Sequence, residues 1–185
     1  MVDLTLRGTI EATGYSGGPV AGTTFEGTTF TGTTFTGTTF TGTTFEGAKI
    51  KMTPEGGIAV KMTNKTGAES VKGSIVSLST GTDNAFALAA IGASGVVGVV
   101  YEAGIADAAE CWVVVKGIAE TLFTNNITHG MYARAPIAND NDKVAGRAVG
   151  AEIPANTFNT DAYLARFGFV MESKAAGALA KVLLD

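Results

Sequence analysis

The start of the chain is dominated by a five-residue motif that repeats without interruption. From residue 22 to residue 46 the sequence reads GTTFE, GTTFT, GTTFT, GTTFT and GTTFE, so phenylalanine recurs at every fifth position. Apolar residues continue this spacing on both sides, and residues 10 to 50 therefore hold nine units. The residues at the apolar position are Ile10, Tyr15, Val20, Phe25, Phe30, Phe35, Phe40, Phe45 and Ile50.

A spacing of five is incompatible with a straight strand and with an α-helix. Side chains alternate between the two faces of a strand, so an odd repeat would place successive phenylalanines on opposite faces. In an α-helix five residues turn through about 500°, which leaves each phenylalanine about 140° from the one before. A chain that turns a corner every five residues, with glycines near the corners, places them all on one side. The repeat therefore predicts a β-solenoid whose core is formed by the nine apolar side chains.

The repeat resembles the pentapeptide-repeat family, in which a small residue, a polar residue and a central Leu or Phe are followed by two further residues. Threonine holds the small position in most units of this chain, where the family usually has Ala, Cys or Ser. The resemblance implies a right-handed square β-helix with four repeats per coil, so nine units make little more than two coils. Such a short solenoid needs support from the following domain or from other copies of the chain. An intertwined β-helix of several chains, as in phage fibres, is the alternative.

Three threonines follow phenylalanines of the repeat at a position that we expect to face water. Thr31, Thr36 and Thr41 form an uncharged ladder of hydroxyl groups between Glu26 and Glu46. Such a ladder is a possible interaction surface. The alternative is that threonine simply suits a solvated β-surface.

The composition changes after the turn-forming run Pro54-Glu55-Gly56-Gly57. We therefore divide the chain into a solenoid domain at residues 1–55 and a compact β-rich domain at residues 56–185. Short apolar runs separated by Gly- and Asn-rich clusters predict a small β-barrel or β-sandwich, so the predicted fold class is all-β. The Ala-rich segment 84–94 also allows a helix. The predicted strands are the alternating run through Ile58, Val60 and Met62, residues 74–79, 96–101, 111–116 and 166–172, and a closing strand through Leu179, Lys181 and Leu183.

Several segments of the second domain resemble small β-rich proteins encoded among bacteriophage structural genes. They are KMTNKTG at residues 61–67, GVVGVVYEAG at 95–104, AECWVVVKGIA at 109–119 and the final run ESKAAGALAKVLLD. The resemblance extends over about residues 58 to 185. It implies a capsid decoration protein or a component of a head fibre.

The polar residues of the sequence do not predict catalysis, a cofactor or a metal site. His129 lies in a predicted loop, and Cys111 lies in an apolar run, where desolvation disfavours the reactive thiolate. The run Asn139-Asp140-Asn141-Asp142 offers oxygen ligands of the kind that Ca²⁺ prefers, but it lacks the Gly and the distal Glu of an EF-hand loop. A polar hairpin turn explains the run without an ion. We therefore expect a protein that is not an enzyme.

Composition excludes other classes of protein. The chain has 185 residues, 45% of them hydrophobic, and a net charge of -4, which argues against disorder and against direct binding of nucleic acid. One cysteine allows no internal disulfide. The sequence has neither a secretory signal pattern nor an apolar run long enough to span a bilayer, so we expect no membrane association.

These observations favour a structural virion protein that binds the outside of a phage capsid and stabilises the shell. The expected partners are the major capsid protein and further copies of the chain, as a homotrimer, after synthesis in the cytoplasm of the host bacterium. We expect the solenoid to contact the capsid or neighbouring subunits, and the β-rich domain to form the trimer.

Two other functions remain as alternatives. A pentapeptide-repeat inhibitor that mimics DNA and blocks a topoisomerase would need a strongly negative solenoid, but residues 22–47 carry only Glu26 and Glu46. A fibre component that binds host-surface glycans would need exposed aromatic residues. The candidates for that role are Trp112, Tyr101, Tyr132 and Tyr163.

Overall fold

The computed structural model describes residues 49–152 and 163–185, and these residues form ten β-strands. The predicted solenoid core from Ile10 to Phe45, and the threonines Thr31, Thr36 and Thr41, lie outside the described residues. The strands are β1 (Ile50–Met52), β2 (Gly57–Asn64), β3 (Ile75–Leu78), β4 (Ala85–Leu88), β5 (Val96–Val100), β6 (Glu110–Leu122), β7 (Tyr132–Arg134), β8 (Val149–Ala151), β9 (Arg166–Val170) and β10 (Leu179–Leu184).

Five of these strands close into a small barrel. The hydrogen-bonded order is β2, β4, β3, β5 and β6, and β6 pairs back with β2 to complete the ring. Most neighbours are antiparallel, whereas the short β2–β4 pair is parallel. The prediction of an all-β fold is therefore confirmed, and of the barrel and the sandwich that the sequence allowed, the structure has the barrel.

The barrel encloses a core of its own. Because side chains alternate across a strand, every second residue of the barrel strands points inward. The buried residues of this inner core are Met62, Val76, Phe86, Val100, Cys111 and Val113. Their neighbours along the strands, such as Ile75, Val99 and Trp112, belong to a second core outside the barrel wall.

A second sheet continues from the long strand β6. The second half of β6 pairs with β10, and β9, β7 and β8 follow in that order. We call these four added strands, with the second half of β6, the C-terminal sheet. One face of this sheet packs on the outer wall of the barrel, where Phe123, Phe167 and Val182 join Trp112 and Val114 in the larger core.

A glycine lies where β6 passes from the barrel to the C-terminal sheet. Gly117 has a φ of +79°, and a Cβ atom there would lie 2.5 Å from the carbonyl oxygen of Gly56. Both the positive φ and the close approach of the β1–β2 turn require a residue without a side chain.

The strands predicted from the sequence are present, with shifted ends, and β6 is longer than predicted. The helix that the Ala-rich segment 84–94 allowed is not formed. Its first residues form β4, because Ala85 and Phe86 are buried between β2 and β3 and their backbone completes the barrel. The three-residue strands β1, β7 and β8 were not predicted. β1 precedes the proposed domain boundary at residue 56 and pairs with β2, which follows it; the division into two domains stays a prediction.

Candidate interaction face

The outward face of the C-terminal sheet carries a row of apolar and aromatic side chains. In the register of the sheet, Leu183 of β10 is opposite Ile118 of β6 on one side and Phe169 of β9 on the other. Phe169 is in turn opposite Tyr132 of β7. Residues directly opposite one another share a face of the sheet, so these four side chains form one strip across four strands. We call Ile118, Leu183, Phe169 and Tyr132 the cross-strand row.

The cross-strand row faces away from the core. The adjacent pair, Val182 and Val170, is buried against the barrel, so the alternate residues point outward. Leu183 is 46% exposed, and the nearby Met171 is 47% exposed. A leucine on a strand is normally placed toward the core when only one face of the sheet is covered. Its outward position gives the sheet an uncovered apolar surface.

Arg166 orders the aromatic end of the row. Its guanidinium carbon lies 5.1 Å from the ring centroids of Tyr132 and Tyr163 and 5.2 Å from that of Phe169. The guanidinium also forms an ion pair of 2.8 Å with Asp185. Tyr132 and Phe169 are in direct ring contact, with centroids 5.2 Å apart and planes tilted by 55°. Tyr and Arg are enriched in the energetically important parts of protein interfaces, so this arrangement suits contact with another protein.

A second group of aromatic and charged residues lies on the outer wall of the barrel. Lys51 approaches the rings of both Tyr101 and Trp112, and Lys61 approaches Trp112 from the neighbouring strand. Burial raises the pKa of the Tyr101 hydroxyl. Trp112 is buried, as the sequence predicted, and Tyr101 is partly covered. Neither ring is an open platform on which a sugar could stack.

An ion pair lies beside this group. The ammonium of Lys72 forms a hydrogen bond with the carboxylate of Glu120, and both side chains remain partly accessible to water. This hydrogen bond raises the pKa of Lys72, although partial burial opposes the shift. The pair shows ordinary surface electrostatics and carries no reactive group.

The structure places Cys111 and His129 in different surroundings. Cys111 lies in the inner core of the barrel, where burial raises the pKa of its thiol. His129 is exposed in a turn, and its backbone N–H donates to the hydroxyl of Ser173 at 3.1 Å. A nucleophile needs a thiolate that is accessible to substrate. The described residues therefore do not assemble a Cys–His pair.

The acidic run that offered possible calcium ligands is engaged internally. The guanidinium of Arg134 donates to both carboxylate oxygens of Asp140, at 2.7 and 2.6 Å, and the backbone N–H of Ile137 donates a further bond at 2.7 Å. Burial disfavours the charge on Asp140, but these hydrogen bonds and the positive charge of Arg134 outweigh it and lower the pKa of the carboxyl. Across residues 49–152 and 163–185, no three His, Cys, Asp or Glu side chains are grouped as metal ligands.

Two open cavities lie at the edges of the domain. One has a volume of about 240 Å³ between Val96, Val115 and the Arg166–Asp185 pair, and the other has about 280 Å³ beside Asn125 and Asp142. Both are below the range of about 300–1,000 Å³ that is usual for small-molecule sites. Neither brings a nucleophile and a base together.

Of the solenoid-core and threonine-ladder residues predicted from the sequence, only Ile50 lies in the described part of the chain. Ile50, predicted as the last side chain of the solenoid core, is in β1 opposite Val60, and its side chain is exposed. The solenoid-core and threonine-ladder assignments stay predictions. The cross-strand row was not found from the sequence, because Leu183, Phe169 and Tyr132 are far apart along the chain and only the strand register aligns them.

Comparison with known proteins confirms the repeat. Residues 21–51 match the family described as pentapeptide repeats, with eight copies. No curated protein matches the chain. Among solved structures, the chain is similar to the N base of the head fibre gp8.5 of bacteriophage phi29, with 15% identity and a TM-score of 0.46 over 69% of this chain and 92% of that one. Within the described ranges, no helix is long and apolar enough to cross a bilayer.

Proposed function

We propose that the chain is a structural protein of a bacteriophage particle that binds the outside of the capsid as a decoration or head-fibre protein. The observation that carries the assembly role is the cross-strand row, an apolar and aromatic strip that is directed away from both cores of the domain. The pentapeptide repeats and the resemblance of residues 58–185 to phage structural proteins support the assignment to a virion. The proposed role needs no catalytic group.

The partners in this proposal are further copies of the chain and the major capsid protein. The cross-strand row provides the contact between copies, as a homotrimer, and the repeat segment contacts the shell. A trimer that binds a shell of repeated subunits gains avidity, because each further contact forms at a high effective concentration. Binding only to the assembled shell stabilises that shell by mass action.

The contact between copies can be tested through the solution mass of the full chain, measured by light scattering. We expect a trimer for the wild-type chain and a monomer for Leu183→Glu, because a carboxylate in the row would have to be desolvated in the interface. Leu78→Glu is the matched control, since Leu78 is an exposed leucine of β3 outside the row. A monomeric wild-type chain, or equal masses for both variants, would exclude the row as the contact.

Capsid binding requires a separate experiment. The full chain is mixed with expanded capsids of the phage that encodes it, and the fraction that sediments with the capsids is measured. We expect saturable binding for the wild-type chain and for Leu78→Glu, and apparent affinity at least about tenfold lower for Leu183→Glu through loss of avidity. Failure of the wild-type chain to bind would reject the decoration role. A variant that lacks residues 10–48 should keep its oligomeric state and lose capsid binding; the opposite pattern would reverse the two assignments.

A further inference from the structure

The first described strand is attached to the barrel along one edge only. β1 has three residues, and β2 is its one strand neighbour among the described residues. Its first and last side chains, Ile50 and Met52, are 54% and 49% exposed, so they contribute little packing. Edge strands of this length open easily, because few hydrogen bonds and little buried surface hold them. The attachment of β1 therefore depends on its middle residue, Lys51.

Lys51 lies between two aromatic rings and a carboxylate on the barrel wall. Its ammonium nitrogen is 4.5 Å from the ring centroid of Tyr101 and 4.7 Å from that of Trp112. The same nitrogen is 3.6 Å from Oε1 of Glu102, and the Lys51 side chain is only 11% exposed. A cation that is largely removed from water interacts more strongly with aromatic rings than an exposed one. These contacts join β1 to β6 and to the loop between β5 and β6.

The turn after β1 is held independently of Lys51. The backbone N–H of Gly56 donates to the carbonyl of Thr53 at 3.0 Å, and the N–H of Gly57 donates to the Thr53 hydroxyl at 3.0 Å. Thr53 is itself buried. The turn can therefore stay closed while the residues before it separate from β2, which makes Thr53 the point at which β1 would pivot.

We propose that Lys51 is a latch that holds β1 on the barrel. With the latch closed, Ile50–Met52 lies on the barrel as a paired strand; with the latch open, residues 49–52 separate from β2 and the barrel remains folded. The latch would thus set how firmly residues 49–52 are held on the β-domain. This proposal does not depend on the capsid or on the oligomeric state.

The test is amide hydrogen exchange on the full chain, for the wild type and for Lys51→Ala and Lys51→Met. The reporter is the backbone N–H of Lys61, which donates to the carbonyl of Lys49 at 3.0 Å and is exposed to exchange when β1 leaves. We expect exchange at Lys61 at least tenfold faster in both variants, and exchange in β10 within twofold of the wild type. Lys51→Met keeps an apolar chain of similar length, so it covers the case in which Lys51→Ala fails to fold.

Two controls separate a latch from general packing. Lys61→Met removes a cation that approaches the same Trp112 ring at 5.2 Å, but from β2 rather than β1. The substitution keeps the backbone N–H of residue 61, so exchange at that N–H should match the wild type. Lys49→Met removes an exposed lysine of the same segment and should also behave as the wild type.

Trp112, the single tryptophan, gives a second readout, because removal of the Lys51 ammonium should change its emission in both Lys51 variants. Unchanged exchange at Lys61 in the Lys51 variants, or equal acceleration throughout β6 and β10, would overturn the proposal.

Discussion

The barrel and the C-terminal sheet share one strand, and that strand differs in the two regions. In the barrel half of β6, Cys111, Trp112, Val113 and Val114 are all buried, because one face lines the inner core and the other lines the outer core. In the second half burial alternates, and Ala119 and Thr121 are buried while their neighbours Ile118, Glu120 and Leu122 are partly exposed. A wall covered on both sides requires a continuous apolar run, whereas a sheet covered on one side requires alternation.

The same difference distinguishes the residues that stabilise the fold from the residues that are available to contact another protein. The inner core of the barrel is sealed, so its side chains can serve only the fold. The outward face of the C-terminal sheet is not needed to close a core, yet it carries Leu183, Phe169 and Tyr132 in one row. Apolar residues that do not contribute to a core are expected where another protein binds. We therefore expect substitutions in the barrel to change folding, and substitutions in the row to change assembly.

The largest effect is expected in the barrel, and truncating one phenylalanine in each region compares the barrel with the cross-strand row. Phe86→Ala removes a fully buried ring from the inner core and should lower the free energy of unfolding by about 3–5 kcal/mol. Phe169→Ala removes a partly exposed ring from the row, so we expect a loss of about 1 kcal/mol. Urea unfolding followed by circular dichroism, at a protein concentration at which the chain is monomeric, measures both. Equal losses would mean that the row belongs to the folding core and that the comparison between the regions is wrong.

A smaller effect, about 2–3 kcal/mol at neutral pH, is expected for Asp140→Asn. The substitution removes the charge that pairs with the largely buried Arg134 and leaves that cation without its partner. The folded-state pKa of Asp140 is below its ordinary value of 3.8, so its contribution is fully present above that value and is lost as the pH falls through the lower, folded-state pKa.

The difference in unfolding free energy between the wild type and Asp140→Asn should therefore be constant from pH 7 to about pH 5 and shrink in more acidic solution. Asp142→Asn, which changes an exposed neighbour in the same loop, is the control and should leave the profile unchanged. A pH-independent difference would show that the charge on Asp140 contributes nothing.

The sequence predicted where strands form better than it predicted which face of each strand is buried. The run from Cys111 to Val115 was correctly interpreted as a buried strand, because a wall covered on both sides leaves an unbroken apolar signal. The closing strand was also correct, but Ala180, Val182 and Leu184 point into the core, and the residues whose alternation predicted the strand, Leu179, Lys181 and Leu183, are on the other face. Which face is covered depends on the register with β6 and β9.

The features that the sequence did not predict also depend on pairing between strands that are distant along the chain. The cross-strand row and β4 depend on partners that are remote along the chain. The Ala-rich composition of segment 84–94 has no strong strand signal, so only closure of the barrel determines that it is extended. The single cysteine and histidine, by contrast, were interpreted correctly from their immediate neighbours.

The smallest effect is expected at the ion pair that β6 presents to water. Lys72→Met removes the partner of Glu120, and both side chains are about one-third exposed, so the loss of stability at pH 7 should be below about 1 kcal/mol. The folded-state pKa of Lys72 is raised above 10.5, so its contribution is present below that value and is lost as the pH rises through the higher, folded-state pKa.

The small difference between the wild type and Lys72→Met should also fall as salt is added, because exposed charges are screened. The Asp140→Asn difference should persist in the same salt series, since the Arg134–Asp140 pair is buried. If salt reduced the stability losses of Lys72→Met and Asp140→Asn equally, the Arg134–Asp140 pair would be as accessible to ions as the Lys72–Glu120 pair, which would contradict the structure.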